Sequence, residues 1–135
     1  MNTHATLYSD GGSRGNPGPA GIGFVLQMDD KDPIEVGEHI GDATNNQAEY
    51  RALLAGMQRA HDEQVSALDC FLDSELVVKQ MKGEYRVRDA DLRPLFAEVS
   101  SLLTHFDAVT FTHVRREKNK VADKLVNFAL DKAGH

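Results

Sequence analysis

Residues Ala5-Thr6-Leu7-Tyr8-Ser9-Asp10 set Ala5, Leu7 and Ser9 against Thr6, Tyr8 and Asp10, a period of two that predicts a β-strand ending at an aspartate. The next stretch, Gly11-Gly12-Ser13-Arg14-Gly15-Asn16-Pro17-Gly18-Pro19, has the composition of a long turn. A second strand is expected at about Ile22–Met28, a turn from Asp29 to Pro33, and a third strand at about Ile34–Gly41. The opening third therefore reads as a three-stranded antiparallel meander.

The period then changes. Tyr50, Leu53, Leu54, Met57 and Ala60 recur at helical spacing, with Thr44 or Asn45 placed to cap a helix that runs to about Gln64. The nearly continuous apolar run Leu68–Asp73 predicts a buried strand. Helices are expected at about Glu75–Met81 and Asp91–His105, with Pro94 in the first turn of the latter, where its missing N–H is tolerated. A fifth strand, Ala108–Arg115, precedes a last helix opening at Asn119 or Lys120 and carrying Val121, Leu125, Phe128 and Ala129. The order β-β-β-α-β-α-α-β-α is that of an α/β fold, a five-stranded mixed sheet (three antiparallel strands, then two parallel) flanked by helices.

At 135 residues the chain suits a single domain, 1–135, with no repeat or linker to divide it. No apolar run approaches the roughly 20 residues of a membrane span, and the start Met1-Asn2-Thr3-His4 lacks a secretory h-region, so a cytoplasmic protein without a membrane partner is expected. Cys70 is the one cysteine; it excludes a disulfide framework and reads as a small buried hydrophobe. The net charge of −6 argues against a wholly basic nucleic-acid binder. Two local clusters cut across it: Arg115, Arg116, Lys118 and Lys120, and Lys79, Lys82, Arg86 and Arg88. Each reads either as solvated surface or as a phosphate-facing patch.

Chain direction brings four acids together. If the first strand ends at the top, so does the third, and Glu49 lies in the first turns of the helix that follows. The fourth strand then rises beside the first by a right-handed crossover and ends at Asp73, leaving Asp10 and Asp73 on adjacent strands roughly 5 Å apart. The last helix also starts at the top, with Asp123 about one turn in. A lone Asp at a strand end is usually a turn former or cap. Four on one edge repel one another unless a cation joins them, and oxygen ligands alone suit Mg²⁺ or Mn²⁺.

The stretch Asp10-Gly11-Gly12-Ser13-Arg14-Gly15-Asn16-Pro17-Gly18-Pro19-Ala20-Gly21 closely resembles the opening signature of type 1 ribonuclease H. Thr44-Asn45-Asn46-Gln47-Ala48-Glu49, Asp73-Ser74 and Asn119-Lys120-Val121-Ala122-Asp123 are similar to its later motifs, in the same order over essentially the whole chain. The resemblance implies a ribonuclease H-like fold and a monomeric endonuclease that cuts the RNA strand of an RNA/DNA hybrid, leaving 3′-hydroxyl and 5′-phosphate ends. It implies that Asp10, Glu49, Asp73 and Asp123 hold two Mg²⁺ ions, with Mn²⁺ as a substitute. It places Gly11, Gly12, Ser13, Asn16, Thr44, Asn45 and Asn46 against the substrate. Asn16, Asn45 and Asn46 would lie in the minor groove, where 2′-hydroxyls distinguish RNA from DNA, and Thr44 at a DNA-strand phosphate near a helix start.

Three departures from the family pattern matter. The basic, Trp-containing protrusion of many members is replaced by a short Lys79–Leu92, which predicts a weaker grip on substrate. Glu75 stands where a Gln contacts RNA. The loop before Asp123 lacks a catalytic histidine; Arg116 is expected to take its place and act through charge, with Arg115 as the alternative. These traits resemble compact variants of archaea and some bacteria, some of which also cut double-stranded RNA, a second substrate the sequence leaves open. His4, His39 and His61 are expected at the surface and His113 in the core. A catalytically silent binding module on the same fold would lack at least one of the four acids, and none is missing.

Overall fold

The computed structural model describes residues 3–135; Met1 and Asn2, half of the N-terminal tetrapeptide, lie outside the described residues. The elements follow the expected order: β1 (His4–Ser13), β2 (Gly18–Met28), β3 (Ile34–Ala43), α1 (Asn45–Asp62), β4 (Ala67–Leu72), α2 (Glu75–Met81), α3 (Arg93–Leu103), β5 (Ala108–His113) and α4 (Lys120–Lys132), with a single 3-10 turn at Arg116–Lys118 before α4. The sheet order is β3-β2-β1-β4-β5. β1, β2 and β3 pair antiparallel, and β4 pairs parallel with both β1 and β5.

β1 does not stop at Asp10. It continues through Gly11, Gly12 and Ser13, which pair with Ile22, Gly21 and Ala20, so the expected long turn shrinks to residues 14–17. The reason is close packing. A Cβ on Gly11 would overlap the backbone carbonyl of Ala48 in α1, whereas one on Gly12 would meet nothing nearer than Asn45 Oδ1 at 4.0 Å. Gly11 thus lets the helix backbone settle on the strand.

α1 covers one face of the sheet. Leu53, Met57 and Ala60 bury against Leu7, Phe24, Leu26, Leu68, Cys70 and Leu72. Since neighbouring strand residues point to opposite faces, β4 alternates rather than being buried throughout: Leu68, Cys70 and Leu72 are in the core, while Phe71 turns away and stacks on Tyr8 at 4.9 Å.

α4 packs on the other face, over β2 and β3. A Cβ on Gly23 or Gly37 would overlap or crowd the backbone of Ala122 or Leu125. The close approach selects small residues for the contact, so α4 buries Ala122, Val126, Ala129 and Leu130. Of the four residues picked out by its helical spacing, Val121 is 50% and Phe128 68% exposed, while Ala129 is buried. His113 also differs from expectation: β5 is an edge strand and its last residue is exposed. His4 is exposed and pairs with Asp69 at 2.7 Å; His39 and His61 are half-buried against His135 and His105. Among the described residues no helix is long and apolar enough to cross a membrane.

The two adjacent glycines should respond oppositely to a methyl group. Gly11→Ala is expected to destabilise by about 1–3 kcal/mol, the usual cost of overpacking, and Gly12→Ala by less than about 1 kcal/mol. Thermal denaturation of the two variants checks this; equal melting temperatures would contradict the packing argument.

Candidate active site

Asp10 lies one residue beyond the Ser9–Leu72 pairing of β1 with β4, and Asp73 directly follows Leu72. Parallel register therefore brings the two carboxylates side by side. Glu49 arrives from the first turns of α1, whose start is fixed by a capping box: Thr44 Oγ1 accepts from the Gln47 N–H at 3.1 Å, and the Gln47 side chain accepts from the Thr44 N–H at 2.8 Å. The Gly11 N–H donates to the Glu49 carboxylate and sets its orientation. Ligand oxygens of Asp10, Glu49 and Asp73 all lie within 4.8 Å of one another. Asp123, in the first turn of α4, lines the same cleft and adjoins Asp10, but stands outside that triplet and turns toward Arg116 Nη2 at 3.9 Å.

Asn119 was legible only as a helix start, yet it is 1% exposed. Its side chain does not cap α4; Nδ2 donates to the Ser9 carbonyl at 2.8 Å, while its own carbonyl accepts from the Asp123 N–H at 3.1 Å. One asparagine thereby ties the strand bearing Asp10 to the helix bearing Asp123. An Asn four residues ahead of a motif aspartate was the available sign.

The electrostatics are those of an anionic site held in place by its scaffold. Asp10 and Glu49 are each 8% exposed, and no Lys or Arg pairs with Asp10, Glu49 or Asp73 among the described residues. Burial, reinforced by the charge of Asp73, pushes the Asp10 carboxyl up to about 7 from an ordinary 3.8. Burial and then the charge of Asp10 hold Glu49 well above the usual carboxylate range. An oxygen-only donor set of this density fits a hard divalent cation.

The cleft measures about 540 Å³ and is lined by these acids together with Gly11, Gly12, Ser13, Asn45 and Arg116. At its rim the Ser13 N–H donates to Asn45 Oδ1 at 2.8 Å, and the Asn45 N–H donates to Asn16 Oδ1 at 3.0 Å. Both side-chain oxygens are thus engaged, leaving the NH₂ groups of Asn16 and Asn45 free to donate outward, beside an exposed Asn46. Arg116 is 81% exposed; Arg115 is not among the cleft's lining residues. Glu75 is exposed and paired with Lys79 at 2.9 Å. A larger hollow of about 840 Å³ between β3, α1 and α3 is lined by Leu54, Leu95, Leu102, Glu38 and Arg51 among others and gathers no set of ligating groups.

Residues 8–129 match the family described as Reverse transcriptase-like. Ribonuclease HI of Halobacterium salinarum is 48% identical over 127 residues, covering 93% of this chain and 64% of that protein. The chain spans a smaller share, 35%, of several mycobacterial relatives. Among solved structures, the N-terminal RNase H domain of Mycobacterium tuberculosis rv2228c superposes with a TM-score of 0.93 at 40% identity, covering 98% of this chain and 97% of that one. LC11-RNase H1, solved in complex with an RNA/DNA hybrid, gives a TM-score of 0.91 at 39% identity, covering 97% and 99%. With a family match over most of its length, high identity to these relatives and close superposition on their structures, the chain belongs to the type 1 ribonuclease H family.

Proposed function

We propose that this chain is an endoribonuclease that hydrolyses the RNA strand of an RNA/DNA hybrid, leaving 3′-hydroxyl and 5′-phosphate ends. The observation that carries the reading is the Asp10–Glu49–Asp73 cluster, with oxygens within 4.8 Å of one another and no Lys or Arg paired with it among the described residues, set beside exposed amide donors. The LC11-RNase H1 complex with a hybrid supports the substrate class. Asp10, Glu49 and Asp73 would hold Mg²⁺, or Mn²⁺ in its place, with Asp123 contributing to a second ion. Two such ions supply water activation and neutralise charge on the leaving oxygen.

The chain's own groups do the remainder. Asn16, Asn45 and Asn46 offer N–H donors to a minor groove rich in acceptors and 2′-hydroxyls. Thr44, at the start of α1, stands at the positive end of the helix dipole, which favours a phosphate. Gly12 and Ser13, half-buried at the cleft wall, leave room there for a backbone to approach, whereas the Gly11 N–H is engaged by Glu49. Arg116 faces Asp123 across 3.9 Å and contributes a charge that does not titrate near neutrality, which would hold the phosphate or draw the product away. All these residues belong to one chain, which supports a monomer as the working unit, and a cytoplasmic location is part of the same reading.

End-labelled hybrid, double-stranded RNA, single-stranded RNA and double-stranded DNA, each with Mg²⁺, Mn²⁺ or EDTA, test the assignment. Hybrid should be cut with either ion and with neither under EDTA, while single-stranded RNA and DNA stay intact. The double-stranded RNA arm decides whether the activity extends to it. A folded protein that leaves hybrid uncut with both ions overturns the reading.

Asp10→Asn and Asp73→Asn should each lower kcat at least about 100-fold with the fold intact. For Asp10 the pH dependence has a definite sign. The folded chain keeps the proton up to about pH 7, whereas the unfolded chain releases it near 3.8, so the metal-free fold loses stability as pH rises between those values. Asp10→Asn should therefore raise the metal-free melting temperature by roughly 5 °C or more near pH 8 and leave it nearly unchanged near pH 4. A destabilised variant at pH 8 would contradict this.

Arg116→Ala should lower kcat more than it raises KM. His113→Ala should leave both, and the melting temperature, near wild type because the side chain is exposed. Steady-state kinetics on the pair decide it: loss of turnover in His113→Ala with Arg116→Ala still active would reverse the assignment.

A further inference from the structure

We infer that Arg14 is a phosphate-binding residue that grips the nucleic-acid backbone a few nucleotides from the cleaved bond; the inference rests on the hydrolase reading above. Among the described residues, Arg14 and Arg116 are the cations that line the acidic cleft. A polyanion entering a site walled by Asp10, Glu49, Asp73 and Asp123 needs positive charge nearby on either side of the cluster. Arg116 supplies it beside Asp123, at the first turn of α4. Arg14 supplies it further along the same helix, where Nη1 donates to Asp131 Oδ1 at 2.7 Å and Nη2 to Asn127 Oδ1 at 3.4 Å.

Asn127 and Asp131 lie one and two turns beyond Asp123, roughly 6 and 12 Å along the helix axis. A strand with one charge per about 3.4 Å of axis covers that in two to four nucleotides.

The ion pair itself is a poor stabiliser. The Arg14 side chain is 35% and that of Asp131 68% exposed, a setting in which such pairs contribute about 0–1 kcal/mol. What the pair does is fix the guanidinium's direction. The Arg14 N–H also donates to the Pro19 carbonyl at 2.8 Å, closing the 14–17 loop, so both ends of the residue are held. Of five N–H donors on the side chain, the contacts with Asp131 and Asn127 leave others for a phosphate.

The test separates the cation from the brace, because Arg14→Ala and Asp131→Asn break the same ion pair while only the first removes the positive charge. Hybrid binding is measured by fluorescence anisotropy across a salt series, with every variant built on the cleavage-silent Asp73→Asn protein and shown by melting temperature to be folded. Arg14→Ala should raise Kd roughly tenfold and reduce the slope of log K against log salt by about one. Asp131→Asn should bind as tightly as the parent, and Arg14→Lys should keep most of the slope. If Arg14→Ala and Asp131→Asn shift binding equally, or Arg14→Ala shifts nothing, Arg14 is only a brace and the inference fails. A parent that binds no hybrid overturns the functional reading and this inference together.

Discussion

Asp10 and Glu49 repel each other at close range and are almost shut off from water, and the rest of the architecture holds them there despite that. Burial raises both pKa values, so at neutral pH the metal-free site is poised between holding a proton and carrying excess negative charge. Such a cluster survives only if its supports are stiffer than the repulsion. Parallel pairing of β1 with β4 sets Asp10 beside Asp73. The Gly11 N–H holds Glu49, and the missing Cβ at Gly11 allows α1 to lie close enough for that contact. Asn119 joins α4 to β1 from the other side. The free energy of the core is thus used to preorganise a site whose charge is complementary to a divalent cation.

Much of this was legible because it follows from periodicity and chain direction. The switch from period two in Ala5–Asp10 to helical spacing from Tyr50 onward separates the meander from α1, and right-handed crossovers put the acids on one edge. What was not legible depended on backbone approach, which a pattern of apolar residues does not encode. Gly11 and Gly12 read as turn formers, yet they extend β1 because a helix passes over one of them. The periodicity of α4 picks out Val121, Leu125, Phe128 and Ala129, of which Val121 and Phe128 are exposed, because Gly23 and Gly37 draw the helix so close to the sheet that Ala122 and Leu125 meet it by their backbones. Asn119 was hidden for a related reason: its role is a hydrogen bond across 110 positions of sequence.

The cleft combines two kinds of surface. On one side, acids concentrate negative charge; on the other, asparagine amides whose oxygens are already satisfied by Ser13 and the Asn45 backbone face outward as donors. Such donors suit a groove lined with acceptors, and they are rigid because their acceptor ends are tied to β1 and to the first residue of α1. Without a long basic protrusion between α2 and α3, recognition of the proposed substrate would fall on this small, fixed set and on a few arginines. For the proposed hybrid substrate, selectivity would then come from geometry more than from overall charge, which accords with a net charge of −6.

The proposed divalent-cation site consists of the clustered carboxylates of Asp10, Glu49 and Asp73, with Asp123 on the same cleft, under electrostatic strain. The most direct measurement is calorimetric melting of wild type near pH 8 as Mg²⁺ is added to EDTA-treated protein. Since a ligand that binds only the folded state stabilises it by mass action, the melting temperature should climb with Mg²⁺. It should climb far less when Asp10→Asn or Asp73→Asn removes a ligand. A wild-type melting temperature indifferent to Mg²⁺ and Mn²⁺, or one that rises equally in the variants, would contradict the account.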